Sequence, residues 1–226
     1  MVSPQEIYKK FLLKINKNDT NRNIKVPKSQ FVLLFNEQKR KYFDDELKLN
    51  ESSDYIEDFE ELLEVDVPLT KVSEDSTKVN FELPTNFLKR VGSYTIASKG
   101  DCKNESLVNW YYKPKDINVL LQNENYNPSF EYRETMAMIN KDVVSIYKSD
   151  FSIDALYFTY YREPIDLDIE GYKHIDGTDS VDQPIDLTMF LIEYIIDRVV
   201  TEATRNYESP EQYALAAQRQ QLNEKK

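Results

Sequence analysis

Residues 153–162 read Ile153-Asp154-Ala155-Leu156-Tyr157-Phe158-Thr159-Tyr160-Tyr161-Arg162, and Glu163-Pro164 follow. Strand alternation puts Leu156, Phe158 and Tyr160 on one side and Ala155, Tyr157, Thr159 and Tyr161 on the other. Both sides are apolar or aromatic, which is the pattern of a strand covered on both faces, so the segment is expected in the interior of a sheet. Its β-branched and aromatic positions favour this over a short buried helix. Pro164 has no N–H to give to a ladder and ends the strand.

The sequence before this strand also reads as β. Val65 and Val67 alternate up to Pro68, and Ser73-Glu74-Asp75-Ser76 forms a loop. Val79, Phe81 and Leu83 alternate inward until Pro84, which opens one helical turn through Phe87, Leu88 and Val91. A short strand over Tyr94 to Ala97 precedes the turn Lys99-Gly100-Asp101. Trp110-Tyr111-Tyr112 forms an aromatic knot suited to core or interface. A base-stacking platform would sit among cations, and only Lys113 and Lys115 are near. Lys115 to Leu121 is a short helix and Asn123 to Ser129 a loop. Glu131 to Ile139 and Val143 to Tyr147 form a hairpin around Asn140-Lys141-Asp142. With the strand at 153–162 they are expected to make an antiparallel meander.

Helical signals flank this region. Ser3-Pro4-Gln5-Glu6 is a capping box with Pro at the first helical position, followed by Ile7, Tyr8, Phe11, Leu12 and Ile15 at helical spacing. A second helix, capped by Ser29, carries Phe31, Leu34, Phe35, Gln38 and Tyr42 on one face. Along it Lys39-Arg40-Lys41 meets Asp44-Asp45-Glu46, with Arg40–Asp44 and Lys41–Asp45 four residues apart. Such pairs contribute about 0.3 kcal/mol each on a solvated surface, or offer a charge match to a neighbouring subunit. Ser53 caps a third helix with Ile56, Phe59, Leu62 and Leu63 inward. Its acidic face (Asp54, Glu57, Asp58, Glu60, Glu61 and Glu64) is too exposed to tune carboxylates for acid–base work. Pro184-Ile185-Asp186 enters a strong helix with Leu187, Phe190, Leu191, Tyr194, Ile195, Val199 and Ala203 on its buried face. A last helix, Glu211 to Leu222, follows the capping box Ser209-Pro210-Glu211-Gln212. Its apolar surface is only Tyr213, Leu215, Ala216 and Leu222, so it is marginal alone. It is either a fraying tail or a helix that orders on docking to a partner.

Composition narrows the function. The 226-residue chain carries a net charge of −11, which argues against binding nucleic acid through a broad basic face. The 4 glycines argue against phosphate-cradling loops, and the 16 tyrosines suit contact surfaces that are part wet and part dry. Cys102 is the single cysteine, so no internal disulfide forms and a reducing compartment is expected. The N-terminus has no apolar signal core, and Leu187 to Val200 is too short and too charged to span a bilayer. The acidic link at 165–183 places Asp166, Asp168 and Glu170, then Asp176 and Asp179, at spacings that glance at calcium loops but lack the closing Glu. His174 and Cys102 lie too far apart in the chain for a zinc site or a Cys–His pair. No catalytic, cofactor-binding or metal-binding residue is expected.

The fold expected is α+β: a helical bundle from residues 1–63 and 184–206, an antiparallel β domain at 64–164, the acidic linker at 165–183 and a C-terminal arm at 207–226. The order of elements resembles the head-to-tail connector proteins of tailed bacteriophages, of adaptor or tail-tubular type. The likeness is nearest to ring proteins of short-tailed crAss-like phages. It is carried by Tyr160-Tyr161-Arg162-Glu163-Pro164, the Ile-Asp link with Asp176-Gly177, the helix from Asp186, Pro128-Ser129-Phe130-Glu131-Tyr132 and Ser209-Pro210-Glu211-Gln212-Tyr213. The wide β insert departs from the smallest, nearly all-helical adaptors. The resemblance implies a non-enzymatic virion protein at the head-to-tail junction, assembled in the host cytoplasm as a homododecameric ring. Its partners would be the portal and the next tail protein, with DNA passing through the lumen without sequence-specific contact and no membrane involved. It also makes Tyr207 to Lys226 a portal-reaching arm, with Tyr207, Tyr213, Leu215, Arg219 and Leu222 as contact residues. The rival readings are another tail component (stopper, tail-tube or hub subunit) and a non-virion enzyme or regulator.

Overall fold

The strand read first from the sequence is β8 (Ser152–Arg162), and it has a neighbour on each edge. The computed structural model describes residues 2–16, 24–50, 56–121, 123 and 126–206, and is mixed α+β. Its contacts divide the chain into two units, Met1–Ser53 with Pro164–Lys226, and Asp54–Glu163. Among the described residues no helix is long and apolar enough to cross a membrane.

The second unit holds an eight-stranded sheet. The strands are β1 (Leu63–Pro68), β2 (Lys71–Glu74), β3 (Lys78–Glu82), β4 (Phe87–Lys99), β5 (Cys102–Tyr111), β6 (Glu134–Asn140), β7 (Val143–Tyr147) and β8, in the order β1-β8-β4-β5-β6-β7-β3-β2. The expected meander is corrected: β6 and β7 form the hairpin, but the other edge of β7 goes to β3, and β8 inserts between β1 and β4. Residues 87–91, expected as a helical turn, belong to the 13-residue β4, with Phe87 opposite Arg162 and Arg90 opposite Tyr160. A long partner strand satisfies their backbone groups and overrides the local helical signal.

The sheet is also not wholly antiparallel, because β5 and β6 run parallel from Val108↔Glu134 to Tyr111↔Ala137. The chain between them carries α3 (Pro114–Leu120), the crossover that a parallel pair needs. Leu69 N–H donates to Leu156 O at 3.0 Å, and Glu82 N–H to Thr70 O at 2.9 Å. One dipeptide thus ties the β8 end of the sheet to the β3 end, and the sheet curls around an interior. Phe81, Leu107, Val144, Leu156 and Phe158 fill it. A polar ladder joins this interior: Thr95 Oγ1 donates to Asn109 Oδ1 at 2.6 Å, Asn109 Nδ2 to Ser93 Oγ at 2.7 Å, and Ser93 Oγ meets Tyr111 OH at 2.7 Å. Arg90 lies over the Tyr111 ring, 4.2 Å from its centroid.

The expected third helix is a 3₁₀ turn, Glu57–Leu62, leading straight into β1. The acidic residues there have no basic partners in sequence, and like charges at helical spacing disfavour an α-helix. Tyr161 anchors the turn. Its hydroxyl accepts from Ile56 N–H at 2.8 Å and donates to Ile56 O at 3.2 Å, and Phe59 packs edge-on at 5.7 Å.

The first unit holds α1 (Pro4–Asn16), α2 (Lys28–Leu49) and α4 (Met189–Asn206). Phe11 of α1 stacks on Phe31 of α2 at 4.6 Å. Lys10 and Lys14 of α1 pair with Glu193 and Asp197 of α4 at 2.8 and 2.7 Å. Tyr42 of α2 meets Tyr194 of α4 at 5.3 Å. The buried positions Ile7, Phe11 and Ile15, Phe31, Phe35 and Tyr42, and Ile192, Ile195 and Val199 recur at helical spacing. Each fully buried ring or branched chain contributes about 2 kcal/mol. α4 begins later than Asp186, because Thr188 is its cap. The Thr188 hydroxyl accepts from Leu191 N–H at 3.2 Å and its carbonyl from Ile192 N–H at 3.0 Å. α2 likewise starts at Lys28 after Pro27, with no side-chain cap from Ser29.

Candidate interaction surfaces

Pro164 and residues 165–170, the latter expected as the start of the acidic link, lie as a strap along α2. Lys28, Asn36, Lys39 and Arg40 share one side of that helix, and all four hold the strap. Lys28 Nζ donates to Glu170 O at 2.6 Å. The Asn36 amide makes a two-way match with Leu167, donating to its carbonyl and accepting from its N–H, both at 2.9 Å. The Lys39 side chain is only 2% exposed. Its ammonium donates to Pro164 O at 3.0 Å, Ile165 O at 2.8 Å and Asp166 Oδ1 at 2.7 Å. Burial holds the Lys39 pKa below its ordinary value, and Asp166 only partly opposes this. Burial pushes the Asp166 carboxyl up, but Lys39 and Arg40 together bring it below the usual carboxylate range.

The expected helix-surface pairs form differently. Arg40 pairs with Asp166 at 2.7 Å, Lys41 with Glu37 at 3.2 Å, and Asp45 with Arg198 of α4 at 3.2 Å. The signal missed in the sequence was the acidic link itself, which supplies a closer partner for Lys39 and Arg40 than the next helical turn.

Beyond the strap, Asp168 organises a folded loop. Its carboxylate accepts from Ile169 N–H and Val181 N–H at 2.9 Å, from Tyr172 OH at 2.7 Å, and meets His174 Nε2 at 3.1 Å. Burial raises its pKa, and these donors more than offset that, leaving it below the usual range. Asp176, the other carboxylate of calcium-like spacing, accepts from Thr178 N–H and Oγ1 and closes the turn at Gly177, where φ is +86°. Among the described residues no cluster of His, Cys, Asp and Glu could hold a metal ion. The loop overhangs the outer side of α2 and encloses an open groove of about 820 Å³, lined in part by Leu33, Arg40, Lys41, Tyr172, His174 and Ile175. Leu33 is 68% exposed and Ile175 wholly so. The groove therefore offers apolar contact within a mixed-charge rim, which suits a protein surface.

A second surface lies on the β unit. Strand alternation splits the aromatic knot: Tyr111 turns into the interior, while Trp110 and Tyr112 face outward with Val108. The parallel β5–β6 register sets Trp110 opposite Met136 and Val108 opposite Glu134, so these share the outer face. α3 covers part of it through Ile117, which packs with Met136 and Tyr147. What remains is a cleft of about 310 Å³ lined by Trp110, Tyr112, Tyr126, Asn127, Pro128 and Glu134 among others. Trp110 Nε1–H donates to Glu134 Oε2 at 3.1 Å. Nearby Tyr132 is 81% exposed.

Tyr207, Tyr213, Leu215, Arg219 and Leu222, the contact residues expected from the sequence, lie with the whole arm outside the described residues. The sequence offers Arg40, Lys41 and Asp44 as a candidate subunit contact and Trp110-Tyr111-Tyr112 as core or interface, and these residues fall at the groove and the cleft, with Tyr111 turned inward, but neither the groove nor the cleft is evident from the sequence. No protein-family model matches the chain, and no curated protein matches it.

Proposed function

We propose that the chain is a structural subunit of a ring at the head-to-tail junction of a tailed-phage virion, joining the portal to the tail and letting DNA pass, without catalysis. The observation that carries this reading is a pair of unlike exposed apolar surfaces, one on each unit: the groove of Leu33 and Ile175, and the face of Trp110, Tyr126 and Tyr132. A closed ring of identical subunits is built from heterologous contacts, so each subunit must offer two different faces. In this reading α1, α2 and α4 are the helical bundle that packs side by side. Residues 207–226 are the arm that reaches the portal and orders on docking.

A cryo-microscopy map of the particle neck tests the proposal. A ring of this chain between portal and tail supports it. Density for the chain elsewhere along the tail assigns it to a stopper, tube or hub, and a monomer within assembled virions overturns it. Deleting residues 208–226 tests the arm: the truncated protein should fold normally and fail to dock on the portal, and normal docking refutes the arm's role.

A further inference from the structure

The cleft beside Trp110 has features beyond those of a flat contact patch. Its floor is the outer face of the parallel strands β5 and β6, and its wall is the 126–128 segment after α3. The wall is fixed at both ends: Tyr126 N–H donates to Asn123 O at 2.9 Å, and Pro128 O accepts from Ser149 Oγ at 2.9 Å. Two aromatic rings line it half-exposed, Trp110 at 54% and Tyr126 at 51%. Glu134 receives the indole N–H on one carboxylate oxygen, which sets the plane of the Trp110 ring and leaves the other oxygen for a ligand donor. The Asn127 amide has no partner among the described residues and lines the same cleft.

The chemistry of this lining selects a ligand class. An exposed aromatic face is electron-rich and attracts weakly polarised C–H groups. A carboxylate and an amide at its edge accept and donate hydrogen bonds in directions that hydroxyl groups can meet. Among the described residues Glu134 is the only charged one lining the cleft, and its negative charge disfavours a phosphate or a sulfated group, so nucleotides and anionic glycans fit poorly. The volume suits one or two sugar rings, at the small end of ligand pockets.

We infer that this cleft binds a neutral saccharide, with a pyranose ring lying on Trp110 and Tyr126 and its hydroxyls bonded to Glu134 and Asn127. The cleft is part of the face that the ring proposal assigns to a subunit contact, so the inference is made for the isolated chain, and in a ring the two occupants compete for Trp110 and Tyr126.

Trp110 is the sole tryptophan, so both indole fluorescence and the single indole N–H resonance report on this cleft alone. The isolated full chain is titrated with three neutral trisaccharides: an α-linked glucan, a β-linked glucan and a chitin fragment. A saturable change with at least one of them, in the millimolar range ordinary for small polar ligands, is expected. Glu134→Gln and Tyr126→Ala keep the tryptophan and should each weaken binding about tenfold, roughly the loss of one charged hydrogen bond or one stacking face. Far-UV dichroism and the melting temperature check that both variants fold. A variant that fails to fold is replaced by Asn127→Ala, whose side chain is exposed and which should likewise weaken the response. Three outcomes overturn the inference: no saturable change up to about 10 mM, binding undiminished in the folded variants, or a response to a proline-rich peptide with none to the sugars.

Discussion

The Lys39 ammonium lies 2.7 Å from the Asp166 carboxylate and spends its other two N–H donors on the carbonyls of Pro164 and Ile165. A charge that is nearly sealed from water is thereby fully satisfied, and residues 164–166 are pinned to α2. Lys39→Met should strand two carbonyls and lower stability by about 2 kcal/mol in urea unfolding. Lys39→Arg should not rescue it, because a planar fork cannot point its donors at these three acceptors. The pH dependence has a definite sign. Burial lowers the Lys39 pKa in the folded protein, so just below pH 10.5 the unfolded chain binds the proton more tightly. The contribution of this residue to stability therefore rises as pH climbs toward 10.5, and Lys39→Met should remove that rise.

Tyr111 acts in the opposite direction. Burial pushes its phenol up to about 12, against smaller lowering effects of Ser93 and Arg90. The folded protein therefore keeps the proton where the unfolded chain loses it. The resulting stability is fully present below about pH 10 and is lost as pH rises through the folded value near 12. Phenolate absorbance of Tyr111→Phe against the parent should show one fewer late-titrating tyrosine, and the variant's stability curve should lack this alkaline fall.

Tyr161 ties the 3₁₀ turn to β8 through both backbone groups of Ile56, which is 4% exposed. Tyr161→Phe leaves an N–H and a carbonyl without that partner while keeping the ring against Phe59. The expected cost is about 2 kcal/mol by denaturant unfolding. Amide exchange should accelerate first at Ile56 and Phe59, ahead of the curled sheet.

The groove beside α2 predicts a separation of folding from assembly. Leu33 and Ile175 are exposed, so the double variant Leu33→Glu with Ile175→Glu should change stability by no more than about 0.5 kcal/mol. If the groove is a subunit contact, the same variant should abolish ring formation in native mass spectrometry or negative-stain images. Rings formed at the normal yield would remove the groove from the interface.

The sequence discloses elements better than their partners. Alternation at 153–162 was enough to place β8 inside a sheet, since both faces are apolar. It could not say that β1 and β4 flank it, because edge pairing is made by backbone groups that every residue carries. The apolar face of α4 was legible from Leu191, Ile195 and Val199, but its true cap, Thr188, was hidden behind the stronger-looking Pro184-Ile185-Asp186. Lys39 read as a surface charge because its burial depends on a strap more than 120 residues away. Trp110, Tyr111 and Tyr112 were visible as one aromatic knot suited to core or interface. The division of Trp110 and Tyr112 from Tyr111, and the cleft that follows from it, needed the register of β5 against β6.

The insertion of Asp54–Glu163 between the two parts of the first unit orders events during synthesis. Lys10 and Lys14 of α1 find Glu193 and Asp197 only after some 180 residues have been made. On a ribosome adding roughly 5–20 residues per second, α1 and α2 therefore wait many seconds without α4, with Tyr42 lacking its ring partner Tyr194. The curled sheet completes once β8 emerges, before α4 exists. Newly made chains should thus expose a protease-sensitive, chaperone-binding N-terminus beside an already resistant core, and nascent-chain proteolysis at successive stall lengths would register the change when α4 clears the exit tunnel.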